Sequence, residues 1–268
     1  MNEPSLTSGG TQLHPGVHDF RMAKLDRRPM VVLTAGDYPT ARTLDTANLD
    51  AILVGDSLGM TLLGYPDTTE VTLTVMEHHT RAVARGATQT FLIADLPIDT
   101  YNSPQQALDS SRVLLAAGAH AVKLEGAHSE IISTLTKHDI PVMAHLGMLP
   151  QSVKLEGGYK KKGTTVEDRH RLLQEAKQVE AAGAFAVVLE LVNAASAQVI
   201  TQELNIPTIG IGSGPNCDGQ VLVTYDLAGA FPWFRPPFAP QYGQAQEQVQ
   251  RAVERFISEV RSGAFPLS

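Results

Sequence analysis

Short apolar runs recur along the chain, and nearly every one closes on a residue able to do chemistry. Val31-Val32-Leu33 ends at Thr34, and Ala51-Ile52-Leu53-Val54-Gly55 leads into Asp56-Ser57. Phe91-Leu92-Ile93-Ala94 delivers Asp95, while Ala121-Val122-Lys123-Leu124-Glu125 carries two charges of its own. Val142-Met143-Ala144 ends at His145, Ala186-Val187-Val188-Leu189 at Glu190, and Thr208-Ile209-Gly210-Ile211-Gly212 at Ser213. Helical signals fall between them, over 40–49, 72–86, 104–117 and 166–182. Gly86, Gly118 and Gly183 close the last three, as C-terminal glycines do. Apolar runs separated by helices imply parallel strands buried on both faces. Parallel strands present their C-terminal ends at one rim, which is where a (β/α)8 barrel does its chemistry.

A weak internal repeat supports the barrel. Residues 116–125 and 181–190 both read as helix end, glycine cap, short turn, buried strand and terminal glutamate. Recurrence of one such module fits a barrel better than a doubly wound sheet, with a flavodoxin-like order as the alternative. The expected fold class is therefore α/β: a single (β/α)8 TIM barrel over residues 20–268, its eighth strand at 221–223. Residues 1–19 lack periodicity and are rich in Pro, Gly, Ser and Thr, which predicts a mobile tail. The extension over 229–268 opens with Phe231-Pro232-Trp233-Phe234-Arg235-Pro236-Pro237-Phe238, too aromatic for a solvated loop and too proline-rich for a helix. It is expected to pack on the barrel or on a neighbouring subunit. Val249, Ala252, Val253, Phe256, Ile257 and Val260 then mark one apolar stripe on a C-terminal helix over 246–261.

Composition narrows the function. At 268 residues the chain suits one barrel of this kind, and its net charge of −7 without a basic stripe argues against nucleic acid. No apolar stretch approaches the ~20 residues that span a bilayer. The first twenty residues lack both an apolar signal region and arginine, so a cytoplasmic location is expected. Cys217, the single cysteine, excludes an internal disulfide and a thiolate metal site, and reads as incidental.

The rim carboxylates carry the most information. Asp56, Asp95 and Glu125 end three strands, and like charges gathered there are costly unless a cation neutralises them or one takes a proton. A partial all-oxygen shell suits Mg²⁺; caps on the following loops are the bland alternative. Lys123 and Glu125, at i and i+2, share one side of their strand. Lys123 suits a substrate carboxylate or, on the other reading, a Schiff base. His145 can donate to a substrate oxygen or cap a loop. Glu190, at the edge of apolar packing, is either a general base of raised pKa or an ion-pair partner of Lys123. The glycines of 210–214 suit an anion loop or a tight turn, and those at 157, 158 and 163 flank either a flap or a surface loop.

Taken together, these residues resemble a known family. Val54-Gly55-Asp56-Ser57-Leu58-Gly59-Met60, Ala94-Asp95-Leu96-Pro97, Val122-Lys123-Leu124-Glu125-Gly126 and His145-Leu146-Gly147 are similar to motifs of ketopantoate hydroxymethyltransferase. So are Pro150-Gln151-Ser152-Val153, Gly157-Gly158-Tyr159-Lys160, Leu189-Glu190, and Gly210-Ile211-Gly212 with Asp218-Gly219-Gln220. The resemblance runs over residues 20–266. It implies transfer of a one-carbon unit from 5,10-methylenetetrahydrofolate to 3-methyl-2-oxobutanoate, giving 2-dehydropantoate for pantothenate synthesis. It further implies Mg²⁺, a (β/α)8 barrel and a homo-oligomer, commonly a decamer. By motif, Asp56 and Asp95 are then direct metal ligands, with Glu125 a third, direct or through water. Ser57 and Lys123 would bind the oxo acid with His145 beside them, and Glu190 would accept its C3 proton. The rival is a Mg²⁺-dependent 2-oxo acid lyase of the isocitrate lyase and phosphoenolpyruvate mutase type. Gly36, Leu149 and Tyr225 depart from the family's usual Tyr, Thr and His, and Phe238-Ala239-Pro240-Gln241-Tyr242 lacks a common lysine, so pocket shape and C-terminal contacts are expected to differ.

Overall fold

The computed structural model describes residues 15–266. A helix α1 (Pro15–Leu25) precedes β1 (Met30–Thr34), α2 (Tyr38–Asp45), β2 (Ala51–Val54), α3 (Leu58–Thr61) and α4 (Leu73–Gly86). Next come β3 (Leu92–Asp95), α5 (Pro104–Ala116), β4 (Ala121–Glu125), α6 (Ser129–Lys137) and β5 (Val142–Gly147). A 3-10 turn, Pro150–Ser152, runs into α7 (Val153–Glu156), followed by α8 (Val166–Ala181), β6 (Ala186–Glu190) and α9 (Ala194–Glu203). The chain ends with β7 (Thr208–Ile211), β8 (Gly219–Leu222), α10 (Thr224–Ala228) and α11 (Ala245–Ser262). All eight strands pair in parallel and in sequence order, and β8 closes on β1. This is the (β/α)8 barrel that the alternation of apolar runs and helices predicts.

Two apolar layers follow from the period-two alternation along each strand. Val54, Leu92, Val122, Leu124, Ala144 and Val187 face outward onto the helices. Val32, Leu53, Ile93, Ala121, Met143, Val188 and Val221 face inward and fill the lower barrel. The same inward register carries Asp95, Lys123, Glu125, His145 and Glu190 at the top, so strand alternation aims five chemical side chains at one point.

The predicted boundaries shift for local reasons. α2 begins at Tyr38 rather than 40, because the Asp37 side chain caps it by accepting from Thr40 N at 2.8 Å. It ends at Asp45, whose carboxylate accepts from the backbone N–H groups of Thr88, Gln89 and Thr90. β8 runs Gly219–Leu222, earlier than 221–223, and Val223 becomes the N-cap of α10. Gly219 permits that pairing, since a Cβ there would lie 2.7 Å from the Met30 carbonyl oxygen.

The expected tail over 1–19 is too long at its C-terminal end. Residues 15–19 already belong to α1, where Val17, Phe20 and Ala23 bury one face under the barrel. The Phe20 ring meets Phe91 and Phe185 edge-on at 6.0 and 5.5 Å, sealing the end opposite the rim. Residues 1–14 lie outside the described chain, and so does their part of that expectation.

The aromatic segment lies across the rim, and Phe231, Phe234 and Phe238 line the cavity below it. Trp233 points away and is 73% exposed. α11 carries the predicted stripe but buries none of its residues.

Candidate active site

At the rim, the ends of β2 to β6 form the floor of a cavity of about 620 Å³. Asp95 organises one side. Its Oδ2 accepts from Asp56 N at 3.0 Å, and its Oδ1 lies 2.8 Å from Lys123 Nζ. Lys123 Nζ is also 3.4 Å from His145 Nδ1. Across the floor, His145 Nε2 lies 3.3 Å from Glu190 Oε2, and Nδ1 lies 3.6 Å from Glu125 Oε1. Ser57 completes this wall beside Asp56. Asp56, Ser57, Asp95, Lys123, Glu125, His145 and Glu190 therefore all line one cavity.

Two residues that the sequence pattern did not single out hold the carboxylates in place. Gln151 Nε2 donates to Asp56 Oδ2 at 2.8 Å and to the Leu96 carbonyl at 3.0 Å, while its backbone N–H donates to Glu125 Oε2 at 3.1 Å. The Tyr101 hydroxyl donates to Gln151 Oε1 and so fixes which end of the amide faces Asp56. A neutral amide in a loop has no periodic signature; only its place in Pro150-Gln151-Ser152-Val153 pointed to it.

Burial sets the electrostatics. It pushes the Asp56 carboxyl up to about 7, helped by the neighbouring Asp95 charge. Glu125 rises well above the usual carboxylate range, first from burial and then from Asp56. Glu190 rises to about 7 through burial, and Lys123 opposes the rise only partly. Burial disfavours the Lys123 ammonium, but Asp95, Asp56 and Glu125 outweigh it and raise its pKa. Burial, then Lys123, drives His145 well below its ordinary value, so its ring is neutral. An ammonium can only donate, so His145 Nδ1 accepts from Lys123 and the proton resides on Nε2, facing Glu190. The near neighbour of Glu190 is His145, and the ion-pair partner of Lys123 is Asp95 rather than Glu190.

The floor fits a hard cation on charge. Asp56, Asp95 and Glu125 are 4%, 2% and 3% exposed against the single ammonium of Lys123, and Glu125 Oε1 has no hydrogen-bond partner. Among the described residues, no three His, Cys, Asp or Glu side chains form a ready metal cluster. A cation at this floor would be held by few protein oxygens, the rest of its shell coming from water or substrate.

The remaining candidates divide. Ser213 is structural: its Oγ donates to the Leu189 carbonyl at 2.7 Å and accepts from Val192 N at 2.9 Å. Gly212 does line the cavity, and Cys217 does not. The 157–163 loop places Tyr159 and Lys161 in the cavity wall, and Lys162 anchors its end on Leu191 O and Asn193 N. At Gly36 the space is filled, since a Cβ there would lie 2.4 Å from Leu62 Cδ1. Nearby, the Tyr225 hydroxyl donates to Asp37 Oδ2 at 2.8 Å.

The sequence profile described as ketopantoate hydroxymethyltransferase matches residues 15–268. The chain belongs to this family. It is 51% identical over 255 residues to the 3-methyl-2-oxobutanoate hydroxymethyltransferase of Acaryochloris marina, covering 93% of this chain and 98% of that one. The Thermus thermophilus enzyme of the same name is 49% identical over 253 residues, covering 93% and 96%. Among solved structures, a putative phosphonomutase from Burkholderia cenocepacia matches with a TM-score of 0.65 at 16% identity, covering 90% of this chain and 99% of that one. A 2,3-dimethylmalate lyase of the PEP mutase/isocitrate lyase superfamily matches at 0.58 and 17%, covering 94% and 90%. At such identities these structures share the fold with this hydroxymethyltransferase family member, and the likeness goes no further.

Proposed function

We propose that this chain transfers the one-carbon unit of 5,10-methylenetetrahydrofolate to C3 of 3-methyl-2-oxobutanoate, with uptake of water, giving 2-dehydropantoate. The observation that carries the reading is Glu190: a carboxylate with a pKa raised to about 7, facing a neutral imidazole across a floor of buried carboxylates. Such a group is poised to take a proton from carbon near neutral pH. Family membership supplies the substrates.

Lys123 and Ser57 bind and orient the oxo acid carboxylate. Asp56 and Asp95 would hold a Mg²⁺ ion directly, with Glu125 as a third ligand, direct or through water. When bound, the cation supplies Lewis acidity to the 2-oxo group, which acidifies the C3–H bond. Glu190 accepts the C3 proton, and the electron pair left behind forms the enolate. His145 Nε2–H donates to the base or to a substrate oxygen. The enolate carbon then attacks the methylene carbon of the folate as one of its two C–N bonds opens, and water replaces the second nitrogen, leaving the hydroxymethyl group on C3 and releasing tetrahydrofolate. Tyr159 and the aromatic segment keep bulk water from the floor.

The same proposal includes a cytoplasmic homo-oligomer, a decamer by family resemblance. The uncovered apolar stripe of α11 supports association. The described residues contain no helix long and apolar enough to cross a membrane. The lyase alternative has only shared fold in its favour.

Incubation with Mg²⁺, 3-methyl-2-oxobutanoate and 5,10-methylenetetrahydrofolate should yield 2-dehydropantoate by mass spectrometry. Without folate, the C3 hydrogen should exchange with deuterium from solvent. Cleavage of a 2,3-substituted malate instead would support the lyase and sink this reading.

A further inference from the structure

The cavity has a second wall that an oxo acid does not use. Its volume of about 620 Å³ falls in the roughly 300–1,000 Å³ range of sites for drug-sized ligands, far more than a five-carbon acid fills. Opposite the carboxylate floor, the chain after β8 contributes Val223, Phe231, Phe234 and Phe238. Gly212 lets Phe238 approach closely, since a Cβ there would sit 2.8 Å from the Phe238 ring. Within this apolar wall stands Asp226, 7% exposed. Its carboxylate has no hydrogen-bond or ion-pair partner among the described residues. Arg235, the cation that acts on it from a distance, is turned toward Gln241 Oε1 at 3.3 Å. A carboxylate that faces the cavity without a protein donor is left to water or to a ligand that brings its own donors.

A flat heterocycle with two N–H donors on one edge answers both features. The carboxylate fork matches such an edge bidentately, and the phenyl rings offer aromatic faces for the plane. We propose that Asp226, with Phe231, Phe234 and Phe238, forms the subsite for the reduced pterin ring of the folate co-substrate. Asp226 accepts from the 2-amino and N3–H groups, and the opposite edge, which carries the methylene, turns toward the floor. The assignment rests on the hydroxymethyltransferase reading above.

Calorimetric titration of the whole protein with tetrahydrofolate, 6-methyltetrahydropterin and p-aminobenzoylglutamate, in the presence of Mg²⁺ and the oxo acid, tests it. In Asp226→Asn the first two ligands should bind roughly 10- to 100-fold more weakly, as loss of a charged acceptor predicts. The third, which lacks the pterin, should bind as in the parent. Phe238→Ala should weaken the same two ligands and serves if Asp226→Asn does not fold. C3 exchange in the oxo acid, which needs no folate, reports whether the floor is assembled. If the parent enzyme forms product while Asp226→Asn keeps its pterin affinity within twofold, the subsite is wrong and the function stands. If the parent neither binds the pterin nor forms product, both are overturned.

Discussion

Glu190 Oε2 and His145 Nε2 face each other at 3.3 Å, the carboxyl raised to about 7 and the imidazole held neutral. Both perturbations begin with burial at the top of the barrel, and neither depends on an ion pair between the two. A base of this kind gains activity as it loses its proton, so C3 exchange should rise with pH through about 7. Glu190→Gln keeps the shape and removes the basicity. Exchange measured by NMR in deuterium oxide should fall by at least about 100-fold, the low end of general-base contributions, while oxo acid binding persists. Unchanged exchange would place the base elsewhere, with His145 next in line.

The same substitution should stabilise the protein in alkaline solution. Folding raises the Glu190 pKa from 4.5 to about 7, so the folded state binds the proton more tightly than the unfolded one. The stability this confers is complete below the unfolded value and is lost as pH rises through the folded one. At pH 8 the ionised carboxylate therefore costs up to about 3 kcal/mol, since each tenfold change in proton affinity is worth about 1.4 kcal/mol. Glu190→Gln should melt higher than the parent at pH 8, with the difference closing toward pH 4. Equal melting temperatures at pH 8 would show that the folded carboxyl titrates like an exposed one.

Asp56 and Asp95 should give opposite stability effects despite a shared loss of activity. The Asp56 carboxyl is raised first by burial and then by the charge of Asp95, so Asp56→Asn relieves both costs and can still accept from Gln151. Asp95→Asn strips the buried Lys123 ammonium of the partner 2.8 Å away. Breaking such a pair costs up to ~3–5 kcal/mol, reduced here because Asp56 and Glu125 still face the lysine. Denaturant titration should find Asp56→Asn at least as stable as the parent and Asp95→Asn less stable. Turnover with Mg²⁺ should vanish in both, and near-normal activity in both would sink the metal assignment.

How far the site is legible in the sequence depends on periodicity. Lys123 and Glu125 fall on one side of their strand because side chains alternate with period two, and both point into the barrel. The strand-end residues converge for the same reason. Gln151 obeys no such period: its bond to Asp56 spans 95 positions and depends on how the loop after β5 folds back. Asp226 gives no signal either, because a carboxylate near the start of a short helix looks like a solvated cap. The aromatic content of the proline-rich segment is enough to place it against the barrel, but its role as a cavity wall follows only from the path of its backbone.

Gln151 therefore offers a direct test of the positioning network. It donates to Asp56, Glu125 and the Leu96 carbonyl and accepts from Tyr101. Gln151→Ala leaves the Asp56 carboxylate and the Tyr101 hydroxyl unsatisfied, each a loss of roughly 1–3 kcal/mol. Mn²⁺ affinity followed by electron paramagnetic resonance should weaken, and Gln151→Glu, which puts a further charge against Asp56, should not rescue it. Parent-like Mn²⁺ affinity in Gln151→Ala would remove Gln151 from the metal site.

Phe256 and Val253 stand 52% and 51% exposed on α11, in a stripe with Val249, Ile257 and Val260. A helix that buries no residue against its own barrel gains little from tertiary packing, on which most helices depend in water. A second copy presenting the same stripe would supply the missing face, as symmetric assemblies do. The parent should therefore sediment as a species well above the 28.8 kDa chain. Phe256→Asp with Val253→Asp places two charges on the stripe without touching the barrel core, and should shift the protein toward the monomer. Because the Asp56–Glu190 floor is built within one chain, C3 exchange should survive that shift. A parent that sediments as a clean monomer at micromolar concentration would show that α11 remains uncovered in solution.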